Sequence, residues 1–145
     1  MSMTEIVKLF GERKIRSIWD DVAEEWYFSV VDVVAVLTES TDPATYWRVL
    51  KNRLKREGNE TVTNCNRLKL RAEDGKMRLA DVATPEQMFR LIQSIPSPKA
   101  EPFKQWMAQV AAQRLEQLQD PEKSIYAIGF ASDFVKRKAQ TTNSR

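Results

Sequence analysis

EWYFSVVDVVAVLTESTDPATYWRVLKNRLKREG, residues 25–58, changes its hydrophobic period partway through, and that change decides the fold class. Glu25 to Val30 is aromatic and β-branched, the composition strands favour. From Val30 onward the period is helical. Val30, Val31, Val33, Val34, Val36 and Leu37 cover nearly all sides of that helix, so it is expected to be buried. Ser29 suits its N-cap, with Asp32 three residues on near the positive end. The helix is expected to stop near Thr38–Ser40. Asp42-Pro43 then starts another, a cap residue followed by proline in the first turn. Over residues 43–57, Trp47, Leu50 and Leu54 share one side. At about 100° per residue, Arg48, Lys51 and Lys55 lie within about 60° of each other on the opposite side. Arg56 falls close by, and Arg53 borders the apolar edge.

Upstream, the chain reads as strands. Glu5 to Phe10 is a short mixed run that turns at Gly11-Glu12, and Lys14 to Trp19 alternates polar and apolar. With Glu25 to Val30 these form a three-stranded antiparallel meander. Downstream, Asn59 to Asn66 is polar and is expected to form a loop or a frayed strand. Arg67 to Arg71 alternates basic residues with leucine, Asp74-Gly75 is a hairpin signal, and Lys76 to Leu79 alternates again. The hairpin is expected to expose Arg67, Lys69, Arg71 and either Lys76 or Arg78. Leu68, Leu70 and one of Met77 and Leu79 are expected on its buried face. Thr84-Pro85-Glu86-Gln87 begins a helix over 85–94 with a capping box. Ile95-Pro96-Ser97-Pro98 ends it. Pro102 falls in the first turn of a helix whose stripe runs through Phe103, Trp106, Met107, Val110, Ala111, Leu115 and Leu118. That stripe serves either the core or a homodimer contact. Asp120-Pro121 starts a final helix over 121–138, broken at Gly129, and Lys136 to Arg145 is a basic, disordered tail. The expected fold is α+β: a small antiparallel sheet, made of the meander plus the later hairpin, packed with about five helices.

Charge is unevenly distributed. Net charge is +3, yet residues 1–47 carry −5 and residues 79–145 carry +2, while residues 48–78 carry +6. Ten cations produce that peak: Arg48, Lys51, Arg53, Lys55, Arg56, Arg67, Lys69, Arg71, Lys76 and Arg78. Nucleic acids are polyanions, and a cationic helix face and a two-stranded ribbon both fit a groove. The plainer reading is a solvated surface with ordinary charge. The aromatics Trp19, Trp26, Tyr27, Trp47, Phe89, Phe103 and Trp106 lie mostly on apolar faces, which assigns them to the core ahead of base stacking.

Enzymatic designs find little support. Histidine is absent, which excludes His zinc sites and Ser-His-Asp or Cys-His nucleophiles. The four glycines are scattered, so no phosphate loop forms. Asp20, Asp21, Glu24 and Glu25 cluster as a solvated turn rather than a metal site. Cys65 is alone, so it forms neither an internal disulfide nor a cysteine metal cluster, and it is expected to be inert. No cofactor is expected. Without an apolar run of about 18 residues or a secretory leader, a cytoplasmic location is expected.

Two stretches carry a family resemblance. Residues 25–58 resemble the N-terminal domain of BRO proteins, with an aromatic strand, a hydrophobic helix, a Ser/Thr/Asp-Pro turn and a basic helix. ATPEQMFRLIQSIPSPKAEPFKQWMAQV, residues 83–110, is similar to BRO-like proteins of bacteria and prophages, including a DNA-damage-inducible group. The resemblance extends over residues 5–118 and places a BRO N-terminal-like domain at 1–118, leaving 119–145 as a C-terminal helix and tail. It implies a DNA-binding regulatory module of phage antirepressor type, and not an enzyme. It also implies a second reading: an antirepressor that contacts a repressor protein without touching DNA. Family members usually carry a variable C-terminal domain, here absent or reduced to 119–145. No catalytic residue is carried over.

Overall fold

Alternation and tight turns at the start of the chain give three antiparallel strands, β1 (Met3–Phe10), β2 (Arg13–Asp20) and β3 (Glu25–Ser29). The β1–β2 loop is only Gly11-Glu12, and Gly11 sits at φ 61°, a conformation glycine adopts without a Cβ penalty. The β2–β3 turn is closed by Asp20, whose carboxylate accepts the Val22 and Ala23 main-chain N–H groups at 3.0 and 3.1 Å. That occupies the carboxylate with turn amides. The computed structural model describes residues 3–59 and 65–113. The chain divides into two compact units, 1–111 and 112–145, and the first is described below.

Ser29 ends β3 and caps α1 (Val30–Thr38), its hydroxyl accepting the Asp32 N–H at 3.3 Å. Val30, Val33, Val34, Val36 and Leu37 are buried, as the all-round apolar pattern requires. Asp42 caps α2 (Pro43–Arg56), with its side chain accepting from the Thr45 N–H and hydroxyl at 3.2 and 2.7 Å. The hairpin follows as β4 (Asn66–Arg71) and β5 (Met77–Ala83). Thr84 and Gln87 form a reciprocal capping box at the start of α3 (Pro85–Ile92). Pro102 lies in the first turn of α4 (Ala100–Ala111). Four helices are present among the described residues. The helix expected over 121–138, the basic tail, and Leu115 and Leu118 of the C-terminal stripe lie outside them.

Meander and hairpin join in one five-stranded sheet, order β1-β2-β3-β5-β4, every pair antiparallel. The junction is short: only Phe28↔Ala83 and Ser29↔Val82 link β3 to β5. The sheet curls so that its two edges approach. The Arg71 main-chain N–H of edge strand β4 donates to the Glu5 carboxylate of edge strand β1 at 3.1 Å. The Arg71 carbonyl accepts from Arg16 Nη1 of β2 at 3.2 Å. Ile18, Leu70 and Val82 are buried together on this inner face, with Tyr27, Leu68 and Ala80 against them.

The opposite face carries the aromatic core. Phe10 and Phe28 of the sheet meet Phe103 and Trp106 of α4, with ring centroids 5.1 to 6.1 Å apart. Trp106 Nε1 donates to the Leu9 carbonyl at 2.9 Å, giving its polar end a partner. Trp19 and Trp26 pack side by side at 5.1 Å. Each fully buried ring of this kind contributes roughly 1.5–3 kcal/mol. Phe103, Met107 and Val110, expected as core or dimer stripe, are buried within this unit. No helix among the described residues is long and apolar enough to cross a membrane.

Candidate nucleic-acid interface

Helix α2 and the β4–β5 hairpin adjoin at one carboxylate. Asp81 of β5 accepts from Trp47 Nε1 at 2.7 Å and from Lys51 Nζ at 2.9 Å, both through Oδ2. Arg67 Nε of β4 lies 3.4 Å from its other oxygen. The Asp81 side chain is only 11% exposed. Burial alone would raise its pKa. The donated bonds from Lys51 and Trp47, with the nearby charges of Lys51 and Arg67, overcome that and hold it below the usual carboxylate range. The helix and hairpin cations therefore meet, but where they meet they are partly neutralised.

The cationic side of α2 is a flank, not the side opposite its core face. Lys51 is about 40° and Lys55 about 80° around the helix from Trp47. Lys51 is accordingly half-buried, with its ammonium 5.8 Å from the Trp47 ring centroid. Arg48, Lys55 and Arg56 are exposed, with no carboxylate within 4.0 Å among the described residues. Arg53 leaves this group. It turns the other way, 3.8 Å from Glu57 and bonded to the Ser94 carbonyl at 3.5 Å.

The hairpin corrects a second expectation. Arg67, Lys69 and Arg71 are exposed on one face and Leu70 is buried on the other, as alternation requires. Met77 and Leu79, however, do not join Leu68 and Leu70 on the buried face. The register pairs Arg71↔Met77, Lys69↔Leu79 and Arg67↔Asp81, so Met77 and Leu79 share the cationic face. They are 48% and 54% exposed. Arg78 instead pairs with Leu70, on the other side of the sheet from Arg67, Lys69 and Arg71. The loop between the paired ends, Ala72 to Lys76, is odd in length, so odd-numbered residues face odd-numbered ones. A loop shorter or longer by one residue would reverse every assignment on β5.

Cations at the tip are engaged locally. Arg71 donates to the Gly75 carbonyl at 3.0 Å, and Arg78 pairs with Asp74, holding that carboxyl below its usual range. Lys69 and Lys76 are exposed, again with no carboxylate within 4.0 Å among the described residues. The structure thus brings Lys51 and Arg67 together at Asp81, while Arg48 and Lys55 share the α2 flank with Lys51 and Lys69 shares the hairpin face with Arg67. Arg53 and Arg78 lie apart from that surface.

Sequence reading missed Asp81 and a second charged region. On the inner face of the sheet, a groove is lined by Lys14, Arg16, Arg71 and Arg78, with Glu5, Asp32, Glu73 and Asp74 among them. Acids match bases there, and Asp32 accepts from Nε and Nη2 along one edge of the Arg16 guanidinium, at 2.8 and 2.9 Å. The bonded Asp32 carboxylate raises the Arg16 pKa further. This groove has no surplus of positive charge for an anion. Cys65 is half-buried, and burial pushes its thiol up to about 11, far from the thiolate a nucleophile needs.

The BRO family N-terminal domain matches residues 14–112. Comparison with curated proteins and with solved structures gives no match. The matched span covers all of β3 to α4, both halves of the Asp81 seam, and about two thirds of the chain, so the chain belongs to the BRO family through its N-terminal domain.

Proposed function

We propose that this chain is a DNA-binding regulatory module of phage or prophage antirepressor type, acting without catalysis or cofactor. The observation that carries the reading is the continuity of cations across the Asp81 seam. Lys51 of α2 and Arg67 of the hairpin meet at Asp81, with exposed Arg48 and Lys55 on the same helix flank as Lys51 and exposed Lys69 on the same ribbon face as Arg67. Family membership supports it. The functional surface is narrower than the ten cations of residues 48–78, because Arg53 and Arg78 point elsewhere and Arg71 is held by the Gly75 carbonyl.

Binding of a fluorescent duplex, followed by anisotropy between 50 and 200 mM salt, tests this. Arg48→Ala and Lys55→Ala should each lower the slope of log affinity against log salt by about one, without changing the melting temperature. Unchanged slopes for both would remove this surface from the reading.

A second reading, contact with a repressor protein, is favoured by a different observation. Edge strand β1 exposes Met3, Val7 and Leu9, at 39%, 49% and 57%. Such a row on an unpaired edge is suited to strand addition by a partner. Absence of duplex binding at 50 mM salt, with a repressor fragment protecting β1 amides from exchange, would favour it.

A further inference from the structure

On the exposed face of the β4–β5 ribbon, cations and apolar side chains stand in register. Lys69 is opposite Leu79, and Arg71 is opposite Met77. A surface needed only to neutralise phosphates gains nothing from two apolar side chains about half exposed to water. On a two-stranded ribbon beside a sheet edge they are also a liability for aggregation. Helix α2 sits over the Asp81 end, through Trp47 and Lys51, and Leu79 and Met77 stay open toward the tip. An antiparallel ribbon fits the major groove of duplex DNA. Side chains on the inserted face then point at base edges, while phosphates lie to either side. In that groove, lysine and arginine meet guanine O6 and N7, and the apolar feature on offer is the thymine methyl.

We infer that this ribbon face reads bases in the major groove, with Leu79 and Met77 against thymine methyls, Lys69 on a neighbouring base edge, and Arg48 and Lys55 of α2 on the flanking phosphates. The inference rests on the DNA-binding reading above and adds sequence recognition to it.

The test uses the full chain and a random-sequence duplex pool. The pool is carried through binding selection, then amplified with either thymidine or deoxyuridine triphosphate, the second lacking the methyl. The selected pool should bind better than the starting pool. Its thymine form should bind about threefold tighter than its deoxyuridine form, by a ratio that hardly changes between 50 and 200 mM salt. Leu79→Ala combined with Met77→Ala should abolish that ratio while leaving the salt slope intact. Both residues are exposed, so thermal melts of the double variant should match the wild type. Three results would overturn base reading while leaving DNA binding in place: no enrichment on selection, equal binding of both pools, or a methyl preference that survives the double substitution. No duplex binding at either salt concentration would overturn both.

Discussion

Two carboxylates join a helix to the sheet in this domain, and they do so differently. At the α1–β2 seam, Asp32 accepts the Arg16 main-chain N–H at 2.9 Å and the Nε and Nη2 donors along one edge of its guanidinium. The Ser29 hydroxyl and the Arg71 carbonyl take further Arg16 donors. The Arg16 N–H lies just past the last β2–β3 register pair, Ser17↔Phe28, where the sheet no longer offers an acceptor from β3. At the α2–β5 seam, Asp81 gathers three partners from two elements, Trp47 and Lys51 of α2 and Arg67 of β4. The first seam is saturated and faces inward to the groove. The second borders the exposed cations and leaves Lys51 and Arg67 partly open. Similar chemistry therefore serves architecture alone in one place. In the other it both fixes the helix and sets how much positive charge the surface presents.

Breaking the first seam should have the largest effect. Asp32→Ala strands a partly buried guanidinium and a main-chain N–H, and should cost about 3 kcal/mol in urea denaturation. Duplex affinity, measured well below the melting temperature, should not change. A loss under about 1 kcal/mol would mean that Arg16 finds other partners.

The second seam should separate stability from binding. Asp81→Asn keeps an acceptor for Trp47 Nε1 but removes the charge beside Lys51 and Arg67. It should cost about 1 kcal/mol and raise duplex affinity severalfold at 50 mM salt, with a steeper salt slope. Reduced affinity would show that Asp81 positions those cations more than it masks them. Because the Asp81 pKa is depressed, its stabilisation is present above pH 3.8, its ordinary value, and is lost as pH falls through the lower folded value. Asp81→Asn should remove that acid-side loss, visible as a flatter stability profile below pH 4.

The smallest effect concerns a cation with no carboxylate within 4.0 Å among the described residues. Lys8 on β1 lies 5.2 Å from the Trp26 ring centroid, and burial pushes its pKa down to about 8. The unfolded chain then binds more protons between that value and 10.5, so stability should rise as pH climbs through this window. Lys8→Met should flatten the rise and stabilise the protein at pH 7 by on the order of 1 kcal/mol. Chemical denaturation of both proteins at pH 7 and pH 10 isolates the difference. If the two profiles run parallel, Lys8 is better hydrated than its burial indicates.

Much of this fold is legible in local signals. Ser29, Asp42 and Thr84 cap their helices with their own side chains, and each cap depends on a residue three positions away. Gly11 marks the first turn for the same local reason. The hairpin was also legible as a hairpin, from alternation around Asp74-Gly75. Its facing was not. Alternation fixes which residues share a face within one strand, whereas the pairing of two strands depends on the loop between them. Leu79 reads as core by composition and is placed beside Lys69 by register. Asp81 carried a faint signal, a lone acid in the otherwise apolar run Leu79–Ala83 opposite Arg67. Its partners Trp47 and Lys51 stand 34 and 30 residues away, and no local pattern connects them.

The sequence by itself determined the elements and the concentration of charge in residues 48–78, because caps, periodicity and side-chain charge act over a few residues. Only the tertiary structure decided which of those charges share a surface. Curling of the sheet, hairpin register and the Asp81 seam are long-range pairings. They joined the α2 flank to the Lys69 face, turned Arg53 and Arg78 away, and put Leu79 and Met77 among the cations.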